Sequence, residues 1–281
     1  MAQEWSGQTG GTHWMQRSLV SIIRHTDIRV AYAMMHLWLI WYIIVRRVER
    51  RGAYLFHRRR GRSRIQAAID VYRSFYHFGQ AIIDRFAVYA GQQFGVTVEN
   101  RDLYYGRVHN KEGFIMLFSH VGNTEIAGYF LSTPDKPLHI LAYGGESPVV
   151  MEHRRQVLAR NNIAMITVQP NDMNHIYHIG YVLQRGEILA AAADRRSGEA
   201  TVTCTFMGES AQFPLGPFRI CQVVKQPVLL VFVIKEDAKS YHVYCEQLQP
   251  TRDIASQYAQ AVEHFALKYP YQWFNFYDFW A

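Results

Sequence analysis

From Val96 onward, short apolar runs alternate with amphipathic stretches. The runs Val96–Glu99, Gly113–Ser119, His139–Tyr143, Ile163–Val168, Glu187–Ala192, Thr201–Phe206, Pro227–Ile234 and Tyr241–Gln247 predict β-strands. The stretches Asn123–Leu131, Val149–Asn161, Asp172–Arg185, Pro217–Val224 and Asp253–Lys268 predict helices. Such alternation predicts an α/β layered domain, a mixed sheet with flanking helices. Gly113–Ser119 is apolar throughout, as suits a central strand covered on both faces.

The first 95 residues follow another pattern. Met1 to Gly11 is polar and glycine-rich, and Arg17–His25 reads as a short amphipathic helix. Val30–Val45 carries no charge, with His36 its strongly polar group. Arg64–Ala90 places Ile65, Ala68, Ile69, Tyr72, Phe75, Phe78, Ile82, Ile83 and Phe86 at helical spacing, a wide stripe that packs on the body or lies on a membrane. Residues 1–95 therefore read as a membrane anchor with basic and amphipathic helices, and residues 96–281 as the α/β domain.

Val30–Val45 would span roughly 24 Å as a helix, short of the roughly 30 Å hydrocarbon core. An embedded or re-entrant anchor, a marginal spanning helix and a buried core helix all fit that length. Tyr32, Trp38, Trp41 and Tyr42 suit a membrane interface. Charge sharpens the picture. Nine arginines and only Glu49 lie between Arg46 and Arg64, a larger excess than the net +7 of the whole chain. Basicity is thus local, and beside a Trp-rich apolar stretch it favours anionic lipid over nucleic acid. A cleavable signal peptide is excluded, because arginines follow the run where a small-residue cleavage site would be needed.

With 281 residues the chain can bury a full core. Cys204, Cys221 and Cys245 lack metal-ligand spacing and read as buried thiols of a reducing compartment. His175 and His178 lie three apart on a predicted helix, but no third ligand accompanies them, so no metal or other cofactor is expected.

Candidate chemistry centres on Ser119-His120-Val121-Gly122-Asn123-Thr124-Glu125. A histidine at the C-terminal end of a central strand stands where α/β proteins place their sites. Glu125, opening the next helix, is expected within reach of the second ring nitrogen, which would make His120 a general base. A strand-end histidine with a merely capping glutamate is the plain alternative. Asp194 and Arg195 follow another strand end, where an arginine suits phosphate and an Asp–Arg pair also simply closes a loop. Gly216 and Pro217 sit at a predicted helix start with Arg219 one turn on, a place for an anion or an ordinary helix beginning. Gly144-Gly145-Glu146 is a bare turn or part of the site's rim. No G-x-S-x-G elbow, P-loop or G-x-G-x-x-G is present, so Ser119 is a poor nucleophile.

Taken in order, these motifs resemble a known family. Ser119–Glu125 is similar to the H-x4-D/E signature of glycerolipid acyltransferases, in the form used by bacterial lipid A late acyltransferases. Ala193–Ile220 resembles that family's second block, and Pro270–Trp280 its C-terminal Gln-Trp signature, here in an aromatic-rich form like that of a subgroup linked to aryl-polyene and aminolipid pathways. Thr124 departs from the aromatic usual before the acid.

The resemblance implies a glycerolipid acyltransferase-like fold and an enzyme on the cytoplasmic face of a bacterial inner membrane. It would move an acyl chain from acyl-carrier protein or acyl-CoA to a lipid hydroxyl or amine. It implies His120 as base, Glu125 as its orienting acid, support from Ser119, Gly122 and Asn123, and substrate contacts from Asp194, Arg195, Gly216 and Arg219. Backbone N–H groups near Val121–Asn123 are candidate oxyanion donors. A non-catalytic lipid binder and a hydrolase are the rival functions.

Overall fold

The computed structural model describes residue 23 and residues 25–143, 148–168, 174–196 and 200–281. The expected helix Arg17–His25 falls mostly outside these residues, and the turn Gly144-Gly145-Glu146 wholly outside. Three helices come first: α1 (Ile28–Val45), α2 (Arg47–Arg59) and α3 (Arg64–Tyr89). Then follow β1 (Gly95–Val98), α4 (Arg101–His109), β2 (Phe114–Gly122), a 3-10 turn (Thr124–Ile126), α5 (Ala127–Leu131), β3 (Leu138–Tyr143), α6 (Pro148–Ala159) and β4 (Ile163–Val168). The chain continues with α7 (Asn174–Gln184), β5 (Ile188–Ala192), β6 (Thr201–Phe206), β7 (Glu209–Pro214), α8 (Leu215–Val224), β8 (Val228–Lys235), β9 (Ser240–Leu248) and α9 (Ile254–Lys268).

Seven strands form one sheet in the order β1-β9-β8-β2-β5-β3-β4, and β6 pairs with β7 in a separate hairpin. All neighbours in the large sheet run parallel except β8 and β9. The mixed sheet read from the sequence is thus present. Its central strand is β2, and the two-residue period of a strand divides its side chains between two cores. Ile115, Leu117 and Val121 join a cluster with α9 through Tyr258, Val262 and Phe265. Phe114, Met116 and Phe118 join another with Tyr104 of α4 and Leu131 of α5.

Helix α3 starts with a capping box, in which Ser63 and Gln66 satisfy each other's backbone N–H groups. It lies against the body. Phe75 stacks on Phe276 at 4.7 Å, and Phe78 meets Phe274 edge-on. Helix α2 sits equally close, because a Cβ on Gly52 would meet the Tyr277 backbone nitrogen at 2.3 Å. Phe56 of α2 stacks on buried Trp273. The helices before residue 95 therefore share a core with the sheet domain's last segment.

Helix α1 buries Ile28, Ala31, Tyr32 and Leu39, half-buries Met35, Tyr42 and Ile43 beside them, and turns its other apolar side chains outward. Leu37 is 79% exposed, Trp38 71% and Trp41 61%. A core helix buries its apolar residues, so that reading of Val30–Val45 falls. Tyr32 donates to Asp84, which also receives Tyr241 and pairs with Lys235 at 2.6 Å, all in the interior. Losing one partner of such a buried pair costs about 3–5 kcal/mol.

The arginine segment divides in two. Arg62 bonds buried Asp70 at 2.7 Å, Arg60 donates to His57 Nδ1 at 2.9 Å, and Arg59 pairs with Glu209 while lying over Trp280. Arg62 thus ties the end of α2 to α3, Arg59 ties α2 to the body, and Arg60 closes on α2 itself. Arg47, Arg51, Arg58 and Arg64 are exposed.

Burial holds His57 and His77 neutral, each depressed to about 4. The folded chain therefore resists protons that the unfolded chain accepts below about 6.5. Stability should be full above that pH and fall as pH drops from about 6.5 toward 4. A Tm series from pH 7.5 to 4.5 checks this. His77→Phe, which keeps the ring packing on Tyr271, should flatten the fall, and an unchanged slope would remove His77 as a cause.

Candidate active site

The site forms where two adjacent parallel strands end. Phe118 of β2 stands opposite Ala192 of β5, so His120 and Asp194 each lie two residues beyond a paired position. On its other side β2 slips register against β8 between Phe118 and Gly122, a bulge spanning Ser119, His120 and Val121. Bulges re-aim side chains. Gly122 makes the turn possible, since its φ of 78° suits glycine and a Cβ there would lie 2.1 Å from the Val233 carbonyl oxygen. Tyr258 donates to the Phe118 carbonyl at 2.6 Å and fixes the strand just before the bulge.

His120 is paired with Asp194. Nδ1 lies 2.8 Å from Asp194 Oδ1, and the His120 backbone N–H donates to Oδ2 at 2.7 Å. Asp194 is fully buried, whereas the His120 side chain keeps 25% of its surface. A carboxylate only accepts, so Nδ1 carries the proton and Nε2 keeps its lone pair. Burial lowers the basicity of His120, the Arg195 charge lowers it further, and Asp194 opposes both. Burial would raise the Asp194 carboxyl, but His120 and Arg195 outweigh it and bring it below its ordinary value. The resting pair is an ionised aspartate beside a neutral imidazole.

The structure places the two expected acids differently from one another. Glu125 is not a hydrogen-bond partner of His120. It is exposed, and its carboxylate pairs with Arg85 of α3 at 2.6 Å. The reason is local: Glu125 belongs to the 3-10 turn beneath α3, while the bulge brings the ring toward β5. Asp194 in turn has both its oxygens engaged inside the protein. Oδ2 accepts a second bond, from Asn275 Nδ2 at 2.8 Å. Arg195 gives Nε to Asn275 Oδ1 and an N–H to the Phe274 carbonyl, each at 2.8 Å.

The other predicted residues divide. Ser119 is buried, and its Oγ accepts from Val121 N at 3.3 Å, so it is not presented as a nucleophile. Asn123 is buried, with its side chain donating to Tyr241 and to the Ala81 carbonyl of α3. The Asn123 N–H bonds the Val233 carbonyl. The N–H groups of Val121 and Asn123 are thus both engaged inside the protein. Gly216 and Arg219 lie exposed on α8, and neither is a hydrogen-bond partner of His120 or Asp194. Sequence reasoning missed Asn275 and Arg85. The signal for Asn275 was the Pro270–Trp280 block, which was noted without a role for its polar residues.

A second His–Asp grouping is built differently. His57 Nε2 lies 2.8 Å from Ser74 Oγ and its Nδ1 4.0 Å from Asp70, a spacing that imitates a catalytic triad. All three residues are buried and Arg60 occupies Nδ1, so the grouping joins α2 to α3 and has no access to substrate.

Residues 74–281 match the model of the bacterial lipid A biosynthesis acyltransferase family. The chain belongs to that family. No curated protein matches the sequence. Membership makes it an acyltransferase acting on lipid, with an acyl donor and a lipid acceptor as its reaction partners. The match takes in β2, β5 and the C-terminal segment, so all residues that surround His120 lie within it except those before residue 74.

The geometry sets one direct expectation. In ring-labelled protein, His120 should show the Nδ1–H tautomer and remain neutral down to a pH below the usual 6.5. A 15N NMR titration reads both. A ring that protonates above 6.5 would contradict the site electrostatics.

Proposed function

We propose that this protein transfers a fatty acyl chain from an acyl thioester, on acyl-carrier protein or coenzyme A, to a hydroxyl or amine of a membrane lipid. His120 is the general base, and Asp194, rather than Glu125, orients it. One observation carries the reading: a partly exposed strand-end imidazole has Nδ1 tied to a fully buried carboxylate, with Nε2 left as the basic atom.

Nε2 takes the proton of the acceptor hydroxyl as its oxygen attacks the thioester carbonyl. The C–O bond forms and the carbonyl oxygen becomes negative. The ring is then an imidazolium, stabilised by Asp194 in the way a buried aspartate serves a hydrolase histidine. On collapse the C–S bond breaks, and the thiolate leaves with the proton from Nε2. Arg195, whose charge acts on His120, is the cation placed to favour the oxyanion. Glu125 and Arg85 form an ion pair that holds the end of the motif against α3.

Helix α1 brings the site to its lipid. Its outward face carries Met34, Leu37, Trp38, Ile40, Trp41, Ile44 and Val45, continued by Ile65 and Ile69 at the start of α3. The opposite stripe packs on the protein, so α1 lies in the interface with its exposed face in the bilayer and the free arginines at the headgroups. The inner face of a bacterial cytoplasmic membrane provides that surface together with acyl thioesters. The aromatic-rich tail supports an aminolipid or polyene acceptor beside a lipid A precursor.

Incubation with palmitoyl-coenzyme A or an acylated carrier protein, with and without a lysolipid, tests the reaction. Transfer requires donor loss that depends on acceptor. Loss without acceptor would make the protein a hydrolase, and no loss a binder. His120→Ala should lower turnover at least ~10²-fold. Asp194→Asn, which inverts the ring's hydrogen bonding, should lower it by about 10²–10⁴-fold. Glu125→Gln and Arg85→Gln, which break one ion pair, should resemble each other in effect. A folded Asp194→Asn protein with wild-type turnover would end the assignment of the orienting acid.

Membrane attachment is tested without cutting into the core. Replacing Leu37, Trp38, Trp41 and Ile44 together by Ser should abolish sedimentation with vesicles while the circular dichroism spectrum is kept. Replacing Arg47, Arg51 and Arg64 by Gln should weaken binding to anionic vesicles, by about 1 kcal/mol per residue at low salt. Retained sedimentation of the Ser variant would place the membrane contact elsewhere.

A further inference from the structure

The segment after α9 passes directly over the two strand ends. Trp273 bridges Val121, and Phe274 donates its N–H to the His120 carbonyl at 2.8 Å. Its own carbonyl receives Arg195. These contacts use main chain on the segment's side, and buried Trp273, Phe276 and Phe279 anchor it. None of them needs the side chain of Asn275. That side chain is nonetheless fully buried and makes two polar contacts, one to each of the charged groups that govern His120.

We propose that Asn275 is a positioning residue for the His120–Asp194 pair, its amide holding the carboxylate in the plane of the imidazole and the Arg195 guanidinium at a fixed distance from it. The inference rests on the general-base role of His120. The direction of the amide follows from its neighbours: a carboxylate only accepts and a guanidinium only donates, so Nδ2 faces Asp194 and Oδ1 faces Arg195. Asp194 Oδ2 has two donors, the His120 backbone N–H and Asn275 Nδ2. Without the second, the carboxylate can turn about its Cβ–Cγ bond, and Oδ1 leaves the line of Nδ1. Asp194 raises the basicity of His120 and Arg195 lowers it. One neutral amide thus holds both influences without adding a charge of its own. An apolar residue would leave buried donors of Arg195 unmet.

Two variants separate positioning from mere packing. Asn275→Ala should lower kcat about 10- to 100-fold, the scale of a lost buried hydrogen bond with a misaligned base. KM for palmitoyl-coenzyme A and for lysolipid should stay within about twofold, since uniform binding is untouched. The downfield Nδ1 proton resonance of His120 should move upfield or broaden. Asn275→Asp is isosteric and keeps the Arg195 contact. Two buried carboxylates 2.8 Å apart cannot both ionise, so the new acid keeps its proton and donates it to Asp194 Oδ2 as the amide does, and kcat and the Nδ1 resonance should stay close to wild type. If Asn275→Ala does not fold, Asn275→Leu, which fills the same space and removes both polar contacts, takes its place. The inference is overturned by a folded Asn275→Ala protein with wild-type kcat and an unmoved Nδ1 resonance, or by Asn275→Asp with the lowered kcat and shifted resonance expected of Asn275→Ala. Should the wild-type protein transfer no acyl group, the functional reading fails, and the resonance in the two variants still decides the role of Asn275.

Discussion

The hydrogen bond between His120 Nδ1 and Asp194 Oδ1 is the contact around which the molecule is arranged. It requires two parallel strands to end level, which the β2–β5 register provides. It requires the chain of β2 to turn its side chain toward β5, which the bulge and Gly122 allow. It requires an ionised carboxylate to survive complete burial. An isolated buried carboxylate would take up a proton, so it must be fully bonded. The backbone N–H of His120, its ring and Asn275 meet that requirement.

The same demand explains why the N-terminal helices are part of the catalytic body. Adjacent residues of α3 reach the motif at two points. Arg85 holds Glu125, while Asp84 gathers Lys235, Tyr32 and Tyr241, and Tyr241 receives the side chain of Asn123. Helix α1, through Tyr32, is therefore joined to the residues between His120 and Glu125. A polar network in a low-dielectric interior tolerates little rearrangement once it is fully bonded. Helix α1, with its exposed apolar face, and the loop from His120 to Glu125 thus share one support.

Much of the sheet was legible from the sequence because its strands are continuous apolar runs, and every predicted strand has a counterpart within a few residues. The elements missed, α2, α4 and β7, lack that contrast. Arg47–Arg59 is dominated by charge, which hides the narrow face of Gly52, Ala53, Phe56 and His57 that it buries at helical spacing. Arg101–His109 has only Tyr104 and Val108 buried. Glu209–Pro214 is half polar, because its hairpin exposes one face. Of the proposed pair, the histidine was legible in the sequence and the carboxylate bonded to it was not. Spacing along the chain favoured Glu125, five residues from His120, whereas strand register brings in Asp194 from 74 positions away. Nearness across a parallel sheet leaves no trace in local spacing. The arginine cluster misled for a related reason: a sequence shows charge, but not that Arg59, Arg60 and Arg62 are spent on Glu209, His57 and Asp70.

The decisive measurement is a double-mutant cycle on turnover with His120→Ala, Asp194→Asn and the two combined. If Asp194 acts only by orienting the base, nothing remains for it to do once the ring is gone. The double variant should then be no slower than His120→Ala alone. Losses that multiply, with the double variant slower than His120→Ala by the full factor lost in Asp194→Asn, would show that Asp194 acts independently of His120 and would contradict the account.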